Sequence, residues 1–364
     1  MRLDQRRQPF FFNVAVSVAS AVVLAVGGRT LRVRFLTETV IPTWLVLAMA
    51  VGVATLVVTL LRRGQRLRRR VFLLIPAFSE KHWLAELVQH LHHVLDRHGY
   101  ELAIHIPAEE FSRLEQKRHL GRILKRSATY DGGIILAADP AMAGSDLEAF
   151  CGSFSGPVVF ADIRPFDSAD RYPANSSFVG YRAADIGARA ASFAARALAL
   201  RDDPLVLAIG STLHAERQLF FAAELARALP GARIEVTSSG RFVRARARDI
   251  VADSVRQAAA TGHPLDAIFC TNDEMALGAV DAITAAGITD DTMVIGVDGT
   301  REAVALIRSG RTPLRATVRQ DAQMVAEVAV DNLLRMLAGE RPPPETFLDP
   351  ELIPTEPNRA HSAR

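Results

Sequence analysis

Six residues stand out by type and by place. Asp162 ends the apolar run Pro157–Asp162, and Arg217 opens the amphipathic segment after Gly210. Phe242 follows the turn Ser238-Ser239-Gly240, and Asn272 follows the apolar run Ala267–Cys270. Asp298-Gly299 follow Met293–Val297, and Gln320 follows Leu314–Arg319. Asp accepts hydrogen bonds in fixed geometry, Arg donates as a rigid fork, and Asn and Gln do both. An aromatic face covers the C–H side of a ring. That mixture suits a sugar, whose hydroxyls both donate and accept. Singly, each residue has a plainer role: Asp298-Gly299 a turn, Asn272 a helix cap, Gln320 a solvated loop residue. Six at equivalent positions point to a pocket for a small sugar or polyol.

The elements that must position them form a series of β/α units. Strands are expected at 71–76, 101–106, 132–137 and 157–162, with helices at 80–98, 109–125 and 142–154. Residues 163–177 are polar, rich in Pro and Asp, and read as a loop or crossover. The cycle restarts with helices at 183–200, 214–229, 243–260, 273–286, 301–309 and 321–338. Strands at 204–210, 233–237, 267–270, 293–297 and 314–319 lie between them. Such alternation is the pattern of parallel sheets with crossover helices. The expected fold class is α/β, with two doubly wound lobes, a hinge and an interlobe cleft. Ligands bind such sheets at the carboxyl ends of the strands. The N-lobe is expected to comprise 71–178 plus 321–343, the C-lobe 179–320 plus 344–355, and 356–364 a tail.

The head of the chain has a different texture. Residues 1–70 hold twelve arginines against Asp4 and Glu38, whereas the rest holds 31 basic and 38 acidic groups. Two uncharged apolar stretches, about 10–27 and 40–61, predict a transmembrane hairpin, with an Arg-rich flank at 62–70. The first stretch also fits a cleaved signal peptide. Arg62, Arg63, Arg66, Arg68, Arg69 and Arg70 favour a cytoplasmic body in a bacterial cell membrane, with a periplasmic or extracellular body as the alternative. That flank is either a solvated stop-transfer segment or a contact to anionic membrane lipid.

The 49% hydrophobic content excludes disorder as the main state, and two cysteines exclude a disulfide framework or a four-cysteine zinc site. His82, Glu86, His90 and His93 share a helical spacing that could suit a metal, but a polar helix face explains them more simply. Gly152-Ser153-Phe154-Ser155-Gly156 has Phe where a nucleophile elbow needs its serine. Phosphate-loop and dinucleotide motifs are absent. Arg241, Arg244, Arg246 and Arg248 lack interleaved aromatics and read as a solvated face rather than a nucleic-acid surface. No catalytic residue, cofactor, metal or nucleic-acid partner is expected.

Residues 71 to about 355 resemble the type I periplasmic-binding-protein fold, especially the ribose-type sugar-binding proteins; the sugar-sensing domain of lac-repressor-type regulators shares it. The resemblance rests on TNDEMALGAVDAITAAG (Thr271–Gly287), VIGVDGT (Val294–Thr300) and LRATVRQD (Leu314–Asp321). It implies a sugar pocket between hinged lobes. By motif, Arg217, Phe242, Asn272, Asp298, Gln320 and Asp162 match ligand-binding positions. In this chain the family's Asp-Arg is Asp162-Ile163-Arg164, with the arginine displaced by one. The first loop, Pro76 to Trp83, departs from the family's Asn-Pro-Phe-Phe: Trp83 can replace a stacking aromatic, and Glu80 and His82 bring titratable groups. The expected function is a membrane-anchored carbohydrate-binding protein that senses a sugar or passes it to a signalling partner. The alternative is the solute-binding receptor of a sugar ABC importer, with a permease as partner.

Overall fold

The computed structural model describes residues 48–57, 69–77, 82–138, 140–289 and 292–355. Contacts divide the chain into residues 1–68 and 69–364. In the first unit residues 48–57 are helical. The expected first membrane helix, 10–27, and most of the second, 40–61, lie outside the described residues. Among the described residues no helix is long and apolar enough to cross a membrane. The expected arginine flank is two residues shorter than the sequence suggests. Arg69 and Arg70 already belong to the first strand, where Arg69 lies over the Tyr100 ring and Arg70 pairs with Glu101 at 3.3 Å.

The second unit holds two six-stranded sheets. The N-lobe sheet runs β11-β5-β4-β3-β1-β2. Its strands are β1 (Arg69–Leu74), β2 (Tyr100–His105), β3 (Gly132–Ile135), β4 (Val158–Ala161), β5 (Ser176–Tyr181) and β11 (Glu345–Leu348), all parallel. Helices α1 (His82–Arg97), α2 (Arg113–Lys125), α3 (Pro140–Ser153) and α9 (Ala322–Leu337) belong with it. The C-lobe sheet runs β12-β10-β9-β8-β6-β7. It contains β6 (Leu205–Ile209), β7 (Arg233–Thr237), β8 (Leu265–Cys270), β9 (Met293–Asp298), β10 (Leu314–Arg319) and β12 (Glu351–Pro354). Only β12 runs antiparallel there. Helices α4 (Ala183–Leu198), α5 (Ala215–Ala228), α6 (Arg244–Thr261), α7 (Asp273–Ala286) and α8 (Arg301–Ser309) complete the lobe.

Central strands buried on both faces read as continuous apolar runs, and β1, β3, β4 and β8 do so. Two assignments need correction. Residues 344–355 were expected in the C-lobe as one piece, but β11 pairs with β5 and only β12 joins the C-lobe sheet. The N-lobe was expected to end at 178, yet β5 continues to Tyr181, and its first two residues lie in the expected loop 163–177. β5 begins Ser-Ser, so its start looks polar although every residue in it is buried.

The chain crosses between lobes three times, after β5, after β10 and between β11 and β12. The first two crossings are tied together, because the Asp321 N–H donates to the Tyr181 hydroxyl at 2.7 Å. Replacing that hydroxyl leaves a half-buried donor without its acceptor, at a cost of about 1–3 kcal/mol. Tyr181→Phe in the full chain is therefore expected to lower the urea midpoint. An unchanged midpoint would show that water takes over the bond and that the tie is not structural.

Candidate functional site

Strand order places the site. Both sheets reverse direction of growth next to their first strand, between β1 and β3 in one lobe and between β6 and β8 in the other. A crevice opens where strand order reverses. One cavity lies between the lobes at these points, offering about 80 Å³ to water centres. At ~10–15 Å³ per water, it has room for a single small ring. Trp83, Asp162, Arg217, Phe242, Asn272, Asp298, Gln320 and His82 all line it. Glu80 lies outside the described residues.

Arg217 sits in the first turn of α5, only 6% exposed. Its guanidinium donates to the Thr271 carbonyl oxygen at 3.2 Å and faces Asp162 Oδ1 across the lobes at 3.7 Å. The second distance is beyond hydrogen-bond range. Its Nε is buried without a partner. Gly187 of α4 fixes the arginine's position: a Cβ there would lie 2.8 Å from the Arg217 carbonyl oxygen, so α4 packs directly on the α5 backbone.

The carboxylates opposite are unusually placed. Asp162 has φ 64° and Asp298 has φ 112°. Burial raises the Asp162 carboxyl above its ordinary range, and Arg217 opposes the shift. Burial, then the charge of Asp273, pushes Asp298 well above its ordinary range, again against Arg217. Asp273 itself is fully buried and raised to about 7, chiefly by burial. It accepts from the Thr300 N–H at 2.7 Å, the Thr300 hydroxyl at 3.0 Å and the Thr317 hydroxyl at 2.7 Å. Asp273 thereby pins the turn after Asp298 to the start of α7.

Asn272 caps α7, its Oδ1 accepting from the Met275 N–H at 3.1 Å. With the oxygen committed, its NH2 is the group left to donate. The Trp83 indole N–H donates to the Gln320 carbonyl oxygen at 2.6 Å. The tryptophan expected as a stacking ring is thus also a tie from α1 to the hinge. His82 pairs with Glu274 across the lobes, and this hydrogen bond is the main cause of its raised pKa.

The sequence did not single out Phe111, His214, Glu274 and Thr300, which line the cavity together with the apolar Pro76, Leu84, Leu136 and Ile163. His214 and Phe111 have left-handed backbones, φ 60° and 56°, which their side chains do not advertise. Burial, reinforced by Arg217, holds the His214 imidazole well below its ordinary pKa and hence neutral. Its ring meets Phe242 edge-on at 5.9 Å, and Phe111 lies 6.2 Å from Phe242. Glu274 stands within the quoted DEMA stretch but reads there as an ordinary first-turn acid. Among the described residues no group of His, Cys, Asp and Glu could hold a metal, the histidine-bearing α1 included. Arg244, in the basic stretch, is neutralised by Asp281 at 2.8 Å and Glu302 at 3.3 Å. Arg164, the displaced arginine, points away from this cavity's lining to pair with Glu345 at 2.6 Å.

Known proteins agree with this architecture. The ribose import binding protein RbsB of Bacillus subtilis is 41% identical over 81 residues, covering 22% of this chain and 25% of the relative. A putative rhizopine-binding protein of Rhizobium meliloti is 36% identical over 103 residues, 28% of this chain and 33% of the relative. These alignments span only about a quarter to a third of the relatives' length. Among solved structures, an ABC transporter periplasmic solute-binding protein from Actinobacillus succinogenes with bound D-allose superposes with TM-score 0.70 at 18% identity. It covers 79% of this chain and 98% of its own. A solute-binding protein from Bacillus halodurans with bound myo-inositol gives TM-score 0.67 at 20% identity, covering 79% and 95%. The shared fold is the two-lobe one; these comparisons lend no support to the expected cytoplasmic placement of the body. The periplasmic binding protein domain matches residues 74–341, well over half of the chain, and the chain belongs to that family.

Proposed function

We propose that this chain is the receptor of a sugar importer, closing its lobes on a small sugar or polyol and presenting it to a membrane permease. The observation that carries this reading is the composition of one interlobe cavity. Arg217, Asp162, Asp298, Asn272 and Gln320 come from both lobes and the hinge, and Trp83 and Phe242 supply aromatic walls. Two relatives, a ribose import binding protein and a putative rhizopine-binding protein, support a small-molecule ligand of the same class. The mechanism is a population shift: a ligand that touches both lobes favours the closed arrangement by its differential affinity. It needs no catalytic step, metal or cofactor. In this reading the apolar stretch 40–61 tethers the body to the membrane.

Ligand bonds to ionised groups are worth about 1.5–3 kcal/mol each, roughly 10- to 100-fold in Kd. Arg217→Ala and Asp298→Ala are each expected to abolish the thermal stabilisation given by D-ribose, D-allose or myo-inositol. Stabilisation retained in both variants would overturn the pocket.

Closure also engages His82 with Glu274, and the charges of Glu302 and Glu86 act on the imidazole in the same direction. Glu86 is itself paired to Arg301 at 3.3 Å. Because pairing raises the His82 pKa, the pair is fully formed below about pH 6.5. It is lost as pH rises through the raised value. Sugar affinity is expected to fall as pH is raised between about 5 and 8, and His82→Ala to flatten that fall. A titration with the same slope in the variant would remove the role.

An importer receptor needs its body outside the membrane. The six arginines between Arg62 and Arg70 favour a second reading, a membrane-tethered sensor of a cytoplasmic sugar. C-terminal fusions to a reporter active only outside and to one fluorescent only inside separate the two. Outside activity is expected; inside fluorescence alone would favour the sensor.

A further inference from the structure

Part of the inner cavity's wall is shared with a second cavity. Asp162, Ile163 and His214 also line a second cavity at the side of the cleft, which offers about 750 Å³ to water centres. The side cavity is therefore far larger than the inner one, and the same three residues form the partition. The His214 backbone oxygen accepts from the Arg217 N–H at 3.0 Å, which leaves the imidazole ring, lowered well below its ordinary pKa by burial, to donate through one nitrogen and accept through the other.

The chemistry beyond the partition resembles that inside it. Phe220 on α5 leaves 42% of its surface exposed beside the groove. Arg182 lies over the Phe347 ring at 4.0 Å, which leaves the guanidinium edge with its donors. The carboxylates of Asp167 and Glu216 line the same space. Arg164 there is neutralised by Glu345, so the groove is not a net cationic site for a phosphate. Aromatic faces beside mixed guanidinium and carboxylate groups are again suited to a carbohydrate ring.

Resting on the sugar-pocket reading above, we infer that the ligand is a two-ring glycoside. One sugar fills the inner cavity, the glycosidic link passes between Asp162 and His214, and a second sugar ring lies in the side groove against Phe220 and Arg182. The selectivity sits in that partition: a lone monosaccharide uses only the inner half of the site.

Calorimetry on the full chain tests this. D-Ribose, D-allose, D-glucose, D-galactose and myo-inositol are titrated first, and then the α- and β-glucosyl derivatives of each. At least one derivative is expected to bind roughly tenfold more tightly than its parent, about 1.4 kcal/mol. Phe220→Ala and Arg182→Ala are expected to remove that gain while leaving the parent's affinity unchanged, which also shows that the variants fold. Parents binding as tightly as every derivative would overturn the two-ring ligand and leave the sugar pocket standing. Equal losses for parent and derivative would do the same. Binding by neither class would overturn both.

Discussion

Arg217 brings a guanidinium into a cavity walled by Asp162, Asp298 and Glu274, and much of the structure answers to it. Burying a charge is costly unless it is paired and hydrogen-bonded. Here the compensation is partial: one bond to a carbonyl oxygen, a 3.7 Å approach to Asp162 and an unpartnered Nε. Opposite the arginine, burial holds the Asp162 and Asp298 carboxyls above their ordinary range, against the charge of Arg217. A vicinal pair of hydroxyls would complete both sides, accepting from the guanidinium and donating to the carboxylates. In the proposed sugar receptor, the buried arginine with its spare donor is the group that a polyol satisfies and an apolar ligand does not.

Holding such groups apart takes a rigid frame, and the backbone records what that frame sustains. Seven described non-glycine residues have positive φ, and five of them, Phe111, Asp162, His214, Phe242 and Asp298, line this cavity. Each costs of the order of 1–3 kcal/mol. The strain persists because neighbouring elements over-determine it. The Asp162 N–H is bonded to the Val179 carbonyl oxygen at 3.0 Å, and Asp298 is flanked by the Asp273–Thr300–Thr317 bonds. Preorganised side chains lose less freedom when a ligand arrives.

This division explains what was legible in the sequence. Asp162, Arg217, Asn272, Asp298 and Gln320 could be found because each follows a recognisable apolar run, and parallel topology sends all such ends to one side. His214 and Phe111 could not, because their place depends on left-handed backbones that no glycine marks. β5 was hidden by its two leading serines, and β11 and β12 by their length of four residues each. The exchange of β11 into the N-lobe sheet is a pairing between distant segments, which local pattern does not encode. The alternation itself, and hence the two-lobe class, was legible because a strand and a crossover helix carry different hydrophobic periods.

The lobes also meet through side chains that belong to the protein alone. His82 pairs with Glu274, Glu86 with Arg301, and the Phe111 ring approaches Phe242. His82 and Arg301 are largely exposed, and ion pairs in that setting contribute between about 0 and 1 kcal/mol each. In the proposed receptor, such contacts bias the lobes toward closure without locking them. Moving a two-state equilibrium from 1:99 to 99:1 takes about 5.5 kcal/mol of differential affinity. The rim contacts reach only part of that, so the decisive share falls to the groups inside: the arginine with a spare donor and the two carboxylates facing it. In the proposed receptor, a residue at the rim therefore tunes closure with pH, whereas the buried set makes closure depend on the ligand.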